Sequence, residues 1–233
     1  MTEFLLSLLQ IIMVNLVLSG DNAVVIALAC RNLKPDLQKK AVFWGSFGAI
    51  VLRIVLTFIA IWLLQIPLVQ VAGGLLLLWI AVKLLRGDDE DSHISSGSNM
   101  MEALKTIIFA DLIMSLDNVI AVAGAANGNL LLVIVGLAIS IPLIIWGSQL
   151  LMKLMNRFPI IVLLGAALLG YTAGEMIAGD KLVGGLIEEA LPALHVILPV
   201  GLALVVIAVG NYLKRKAEME KAESLAQDHA ETL

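Results

Sequence analysis

Asn15-Leu-Val-Leu-Ser19-Gly20-Asp21-Asn22, near the start of the chain, is answered by Asp111-Leu-Ile-Met-Ser115-Leu116-Asp117-Asn118 near its middle. The two stretches are offset by 96 residues, and the same offset pairs Ala27 with Ala123. A weaker echo sets Gly73, Trp79 and Lys83 opposite Gly165, Tyr171 and Glu175. The chain therefore reads as one unit built twice. Each copy also places carboxylates and amides inside an apolar run, where such groups are costly.

The apolar runs around these motifs decide the solvent. Of 233 residues, 60% are hydrophobic and 15% charged, and the mean hydropathy is +0.99. A soluble domain holds about half apolar and a quarter charged residues, so most of this surface must face lipid. Runs at 4–30, 41–64, 67–85, 106–126, 130–152, 159–178 and 192–212 are close to or above the roughly 20 residues that cross a bilayer. Pro67, Pro159 and Pro192 sit near three of the starts, where a missing N–H costs least. The first run has no basic flank or small-residue cleavage pattern, so it reads as a retained span. The predicted fold is all-α, with about seven transmembrane helices.

Basic residues orient it. With the N-terminus outside, thirteen Lys and Arg fall on the inner side, only Lys181 falls on the outer side, and Arg53 lies within a span. The positive-inside rule thus favours N-out/C-in, and an odd number of spans agrees. Spans 1–3 and 4–6 form two triplets, and three crossings invert the second relative to the first. Two inverted three-helix repeats plus a seventh helix are frequent among secondary transporters. The boundaries are a single membrane domain over 1–213, with repeat A at 4–86 and repeat B at 100–180. The extra helix covers 192–213, a cytosolic loop 86–100, and a polar, frayed cytosolic helix the tail 214–233. The location expected is the plasma membrane, multi-pass.

Five ionisable residues fall inside spans: Asp21, Arg53, Asp111, Asp117 and Glu175. At about 2.5–3.5 kcal/mol each near the bilayer centre, they oppose insertion by roughly 10–15 kcal/mol together. They must face each other, water or an ion. Gly20, Asp21 and Asn22 are poor helix formers, and an interruption there would free backbone groups at the midplane. Asp111 and Asp117 are six residues apart, about 600° on a regular helix. Either the fourth span is distorted between them or they serve different steps. Asn15 and Asn22 can offer amide oxygens from the first span, and Asn118 accompanies Asp117 in the fourth. Arg53 reads as a partner for one of the acids, or as a countercharge that exchanges with a cation. Glu175 lies toward the outer end, within reach of water.

Carboxylates, amides and a serine suit a hard cation such as Mn²⁺, Mg²⁺ or Ca²⁺. His93, His195 and His229 lie away from this set, and the single cysteine, Cys30, excludes an internal disulfide and a thiolate cage. Zinc held by His and Cys, and soft metals, are disfavoured. No nucleotide-binding loop, organic cofactor site or nucleic-acid signature is present, so an ion gradient would drive transport. Gly124-x3-Gly128 and Gly170-x3-Gly174 read as close helix packing. Asp88-Asp-Glu-Asp91 reads as a solvated linker.

Ser19-Gly-Asp-Asn-Ala-Val-Val-Ile-Ala27, Ala110-Asp-Leu-Ile-Met-Ser-Leu-Asp-Asn118 and Gly170-Tyr-Thr-Ala-Gly-Glu-Met176 together resemble the motifs of the TerC family over about residues 5–212. The resemblance implies Mn²⁺ export, with Asp21, Asp111 and Asp117 as ligands and Glu175 as a further candidate. It also implies a link to supplying metal to exported proteins, and so a partner in the protein-export machinery. Leu116 departs from the pattern, standing where the first half has Gly20, so the two halves are expected to contribute unequally.

An enzyme alternative is an intramembrane aspartyl protease using Asp21 and Asp117 as a dyad. Leu18 stands where its Gly-x-Gly-Asp signature needs glycine, and Pro192-Ala-Leu194 is too near the outer edge to complete it. A scaffold for translocation partners is the third reading. The transporter reading, with the chain not an enzyme, accounts for the duplicated acids.

Overall fold

The computed structural model describes residues 9, 12–13, 20–63, 66–86, 96–125 and 130–231. The described residues form eight helices: α1 (Gly20–Cys30), α2 (Pro35–Leu63), α3 (Val69–Arg86), α4 (Ser96–Ala125), α5 (Leu130–Arg157), α6 (Ile160–Gly179), α7 (Lys181–Ala190) and α8 (Leu194–Glu231). Seven of them overlap the seven predicted apolar runs, α1 only over the last eleven residues of the first run. The protein is an all-α membrane protein. Among the described residues, Ile134–Arg157, Ile160–Gly179 and Leu194–Leu213 are long and apolar enough to cross a bilayer, and Gly20–Cys30 and Val69–Leu85 are shorter apolar helices.

The ends differ from the hydropathy reading for local reasons. Pro35 opens α2 as its first residue, with Asp36 in the first turn, a fixed φ and a charge that both favour a helix start. Leu194–Glu231 is one continuous helix, so the polar tail extends the last span. The segment between repeat B and the extra helix, which the boundaries leave unassigned, holds α7. The Asp180 side chain accepts from the Leu182 N–H at 3.0 Å and caps it. Leu182 and Leu186 remain exposed on α7, the habit of a short helix lying at a membrane interface.

Helix α2 shows how lipid inverts the usual pattern. Trp44, Phe47, Val51 and Val55 are exposed along one face, whereas Ser46 and Arg53 are buried with Val42, Ile50 and Leu56. In water the apolar stripe would face inward; here the charge does. Hydrocarbon outside and polar partners inside make that arrangement stable.

Several helix contacts pair up under the exchange that the sequence repeat suggests, although the α1–α2 contact has no counterpart of similar extent between α4 and α5. Exchanging α1 with α4, α2 with α5 and α3 with α6 maps the α1–α5 contact onto α2–α4 and the α1–α6 contact onto α3–α4. The pairs α1–α4, α2–α5 and α3–α6 each map onto themselves, and all of these contacts are present. The most extensive contacts, however, group the helices differently. Helices α3, α6 and α8 pack together, as do α1, α2, α4 and α5, and smaller contacts of α1 with α6, of α3 with α4 and of α5 with α6 join the two groups.

Small residues allow the closest crossings. A Cβ on Gly170 would lie 2.8 Å from the Val206 side chain, and one on Gly174 would lie 2.8 Å from the Pro199 nitrogen. The Gly170-x3-Gly174 pair thus seats α8 on α6, as the spacing predicts. Gly128 lies outside the described residues.

Candidate functional site

The polar centre of the bundle lies between α2 and α4. Arg53 on α2 is 1% exposed, and Asp111 and Ser115 on α4 are 7% and 0% exposed. The Arg53 Nη2 donates to Asp111 Oδ1 at 2.5 Å, and its Nε donates to Ser115 Oγ at 2.8 Å. The serine hydroxyl in turn donates to Asp111 Oδ2 at 3.1 Å. The ring closes on itself, so both carboxylate oxygens are engaged. One turn of α4 separates Asp111 from Ser115, which puts both on the face that meets Arg53.

From α1, Asp21 comes within electrostatic range of both Arg53 and Asp111. It lies in the first turn of the described helix, half-buried, and its Oδ1 accepts from the Asn22 N–H at 2.9 Å. Asn22 beside it is 3% exposed, and neither its amide oxygen nor its amide nitrogen has a partner among the described residues. Buried polar atoms of this kind are rare, because each forfeits its hydration without return. Gly20 adds room: a Cβ there would meet nothing within 4 Å among the described residues. Its counterpart Leu116 is instead buried against Leu56. The two halves are therefore unequal at this position, as the Gly-to-Leu departure implies.

The cluster thus unites Asp21, Asn22, Arg53 and Asp111 of the sequence-derived set. Helix α4 is continuous from Asp111 through Asp117 and Asn118, so no interruption separates the two aspartates. The side chains of Asp117 and Asn118 lie outside the described residues, and so does Asn15. Glu175 is not brought to the cluster; it is exposed on α6. Among the described residues, no three His, Cys, Asp or Glu side chains converge to hold a metal ion. The donors seen at the centre are two carboxylates, an amide and a hydroxyl, with one guanidinium already among them. Sequence reasoning left Arg53 without an assigned partner and gave Ser115 no bridging role. The four-residue spacing of Asp111 and Ser115 was the available signal.

The model of the Integral membrane protein TerC family matches residues 1–218. The chain belongs to the TerC family. It is 46% identical over 200 residues to the membrane protein YjbE of Bacillus subtilis, covering 83% of this chain and 92% of that one. More distant relatives include the membrane protein YceF of Bacillus subtilis, 22% identical over 91% of this chain and 83% of its own length. YegH of Escherichia coli is 28% identical over 67% of this chain and 33% of its own. No solved structure matches the chain.

Proposed function

We propose that this TerC protein is a secondary transporter that exports a divalent cation, with Mn²⁺ the substrate the family resemblance implies. The observation that carries this reading is the buried Arg53–Asp111–Ser115 ring, with Asp21 nearby and next to it an Asn22 amide that has no partner among the described residues. A charged cluster of this kind opposes insertion into hydrocarbon, and purely structural roles would leave no reason for an unsatisfied amide there. Oxygen donors of this type suit Mn²⁺, Ca²⁺ or Mg²⁺.

In this mechanism Arg53 is a resident countercharge. An arriving cation competes with the guanidinium for Asp111 and gains the Asp21 carboxylate and the Asn22 amide oxygen. When it leaves, Arg53 returns to Asp111, and that carboxylate is neutralised again without a second metal. Protonation of the aspartates would weaken the site and couple release to a proton gradient. Residues 4–86 and 100–180 act as two inverted triplets around the site, in the plasma membrane. Asp117 and Asn118 supply the matching donors of the second triplet. Export of this ion would serve metal-requiring proteins leaving through the export machinery.

The test is metal uptake by inside-out vesicles loaded with a metal-sensitive dye. Wild type is expected to accumulate Mn²⁺, and Asp21→Asn and Asp111→Asn to lose most of that uptake at equal protein level. Equal uptake in all three would overturn the assignment.

A further inference from the structure

A second polar feature lies away from the buried cluster, at the seam between α3 and α4. A cavity of about 630 Å³ opens there, lined by Leu76, Trp79 and Lys83 from α3 and by Glu102, Lys105 and Phe109 from α4. That volume is in the range of small-molecule pockets, roughly 300–1,000 Å³. Leu76, Trp79 and Phe109 are all exposed along it. Lys83 follows Trp79 toward the end of α3, and Glu102 and Lys105 precede Phe109 from the start of α4. Both helices therefore present charge at the same end, the end that the 87–95 connection joins. The groove is ionic at that end, which we call its mouth, and apolar toward the other.

The ions at the mouth are unequal. Lys83 pairs with Glu102, and its ammonium sits 5.4 Å from the centre of the Trp79 ring. Lys105 is exposed, and no ion pair or hydrogen bond engages it among the described residues. One positive charge is left over among the described residues that line the groove. Trp beside Lys is also the pairing found at the headgroup level of membrane proteins.

We propose that this groove binds an anionic phospholipid from the leaflet on the Lys- and Arg-rich side. An acyl chain lies along Leu76, Trp79 and Phe109, and the headgroup phosphate rests on Lys105 with Lys83 flanking it. The direction of the groove carries the argument: its polarity falls from the mouth to the other end as a lipid's does. A partner helix filling the same space would bury the Lys105 ammonium without a counter-ion, which hydrocarbon penalises. Basic pockets between spans on the cytoplasmic side are established binding places for anionic headgroups. The groove also lies where the two helix groups meet, so its occupant would act as a wedge between them.

The experiment uses the full chain with Trp79 as its single tryptophan, Trp44, Trp62 and Trp146 each replaced by Phe, in vesicles containing brominated lipid. Brominated phosphatidylglycerol is expected to half-quench Trp79 at a mole fraction about fivefold lower than brominated phosphatidylcholine, the ratio one lysine contact supplies. Lys105→Gln should remove most of that preference. Native mass spectrometry of the chain with all its tryptophans gives an independent reading: phosphatidylglycerol should remain bound in preference to phosphatidylcholine, and Lys105→Gln should abolish the difference. Equal quenching by both lipids, a preference indifferent to Lys105→Gln, or a Trp79 shielded from both by a second copy would each overturn the proposal. If the triple tryptophan variant does not fold, the mass spectrometric preference decides alone.

Discussion

Arg53 and Asp111 meet at 2.5 Å on helices α2 and α4, both almost completely buried, with the Ser115 hydroxyl bridging them. A pair held this way is expensive to break from one side, because the surviving charge stays in the interior. Asp111→Ala should destabilise the protein by about 3–5 kcal/mol, and the double variant Arg53→Met, Asp111→Leu by far less. Thermal unfolding in detergent measures both. A double variant as unstable as the single one would mean that the pair is not the reason for the loss.

Ser115→Ala removes the bridge while keeping the charges. Arg53 Nε then loses the Ser115 hydroxyl, and the Asp111 carboxylate loses a donor, in a buried setting, which costs about 1–3 kcal/mol. The loss should appear in the same unfolding measurement, and Ser115→Thr, which restores a hydroxyl, should recover part of it.

Asn22→Ala separates function from stability. The amide has no partner to lose among the described residues, so the melting temperature should hold or rise. Manganese uptake into dye-loaded vesicles should nonetheless fall severalfold. A stability loss without a transport loss would make Asn22 a packing residue.

Gly20→Leu copies the second half of the chain into the first. Open space surrounds the position among the described residues, so expression and melting should stay near wild type. Uptake should drop, because the added side chain occupies the room beside Asp21. Unchanged uptake would show that this space is not used by the ion.

Gly174→Ala tests the seat of α8. The new Cβ would press on the Pro199 backbone, which cannot yield as a flexible side chain can, and overpacking of this kind costs about 1–3 kcal/mol. Gly147→Ala is the control. Nothing lies within 4 Å of its Cβ among the described residues, and replacing a helical glycine should gain about 0.5–1 kcal/mol.

The spans were legible because lipid leaves a strong mark: long apolar runs, with proline and charge at their ends. The repeat was legible because Ser-x-Asp-Asn occurs twice. Which acid Arg53 would choose was not, since Asp111 lies 58 residues away and helix periodicity carries no information about which helices become neighbours. The echo that matched Lys83 with Glu175 carried no information about the neighbours of either residue. Glu175 follows Gly174, whose face is taken by α8, and its own side chain emerges on the exposed side of α6. Helix α7 escaped notice because ten residues with two adjacent glycines look like a connection, and the Asp180 cap that starts it is a tertiary detail.

The division of the bundle into two helix groups constrains what can move. Arg53 and Asp111 both belong to the group of α1, α2, α4 and α5. A hinge that opened along the α1–α6, α3–α4 and α5–α6 junctions would leave the two residues together in one helix group. Swinging the groups apart along those junctions would not by itself part the guanidinium from the carboxylate.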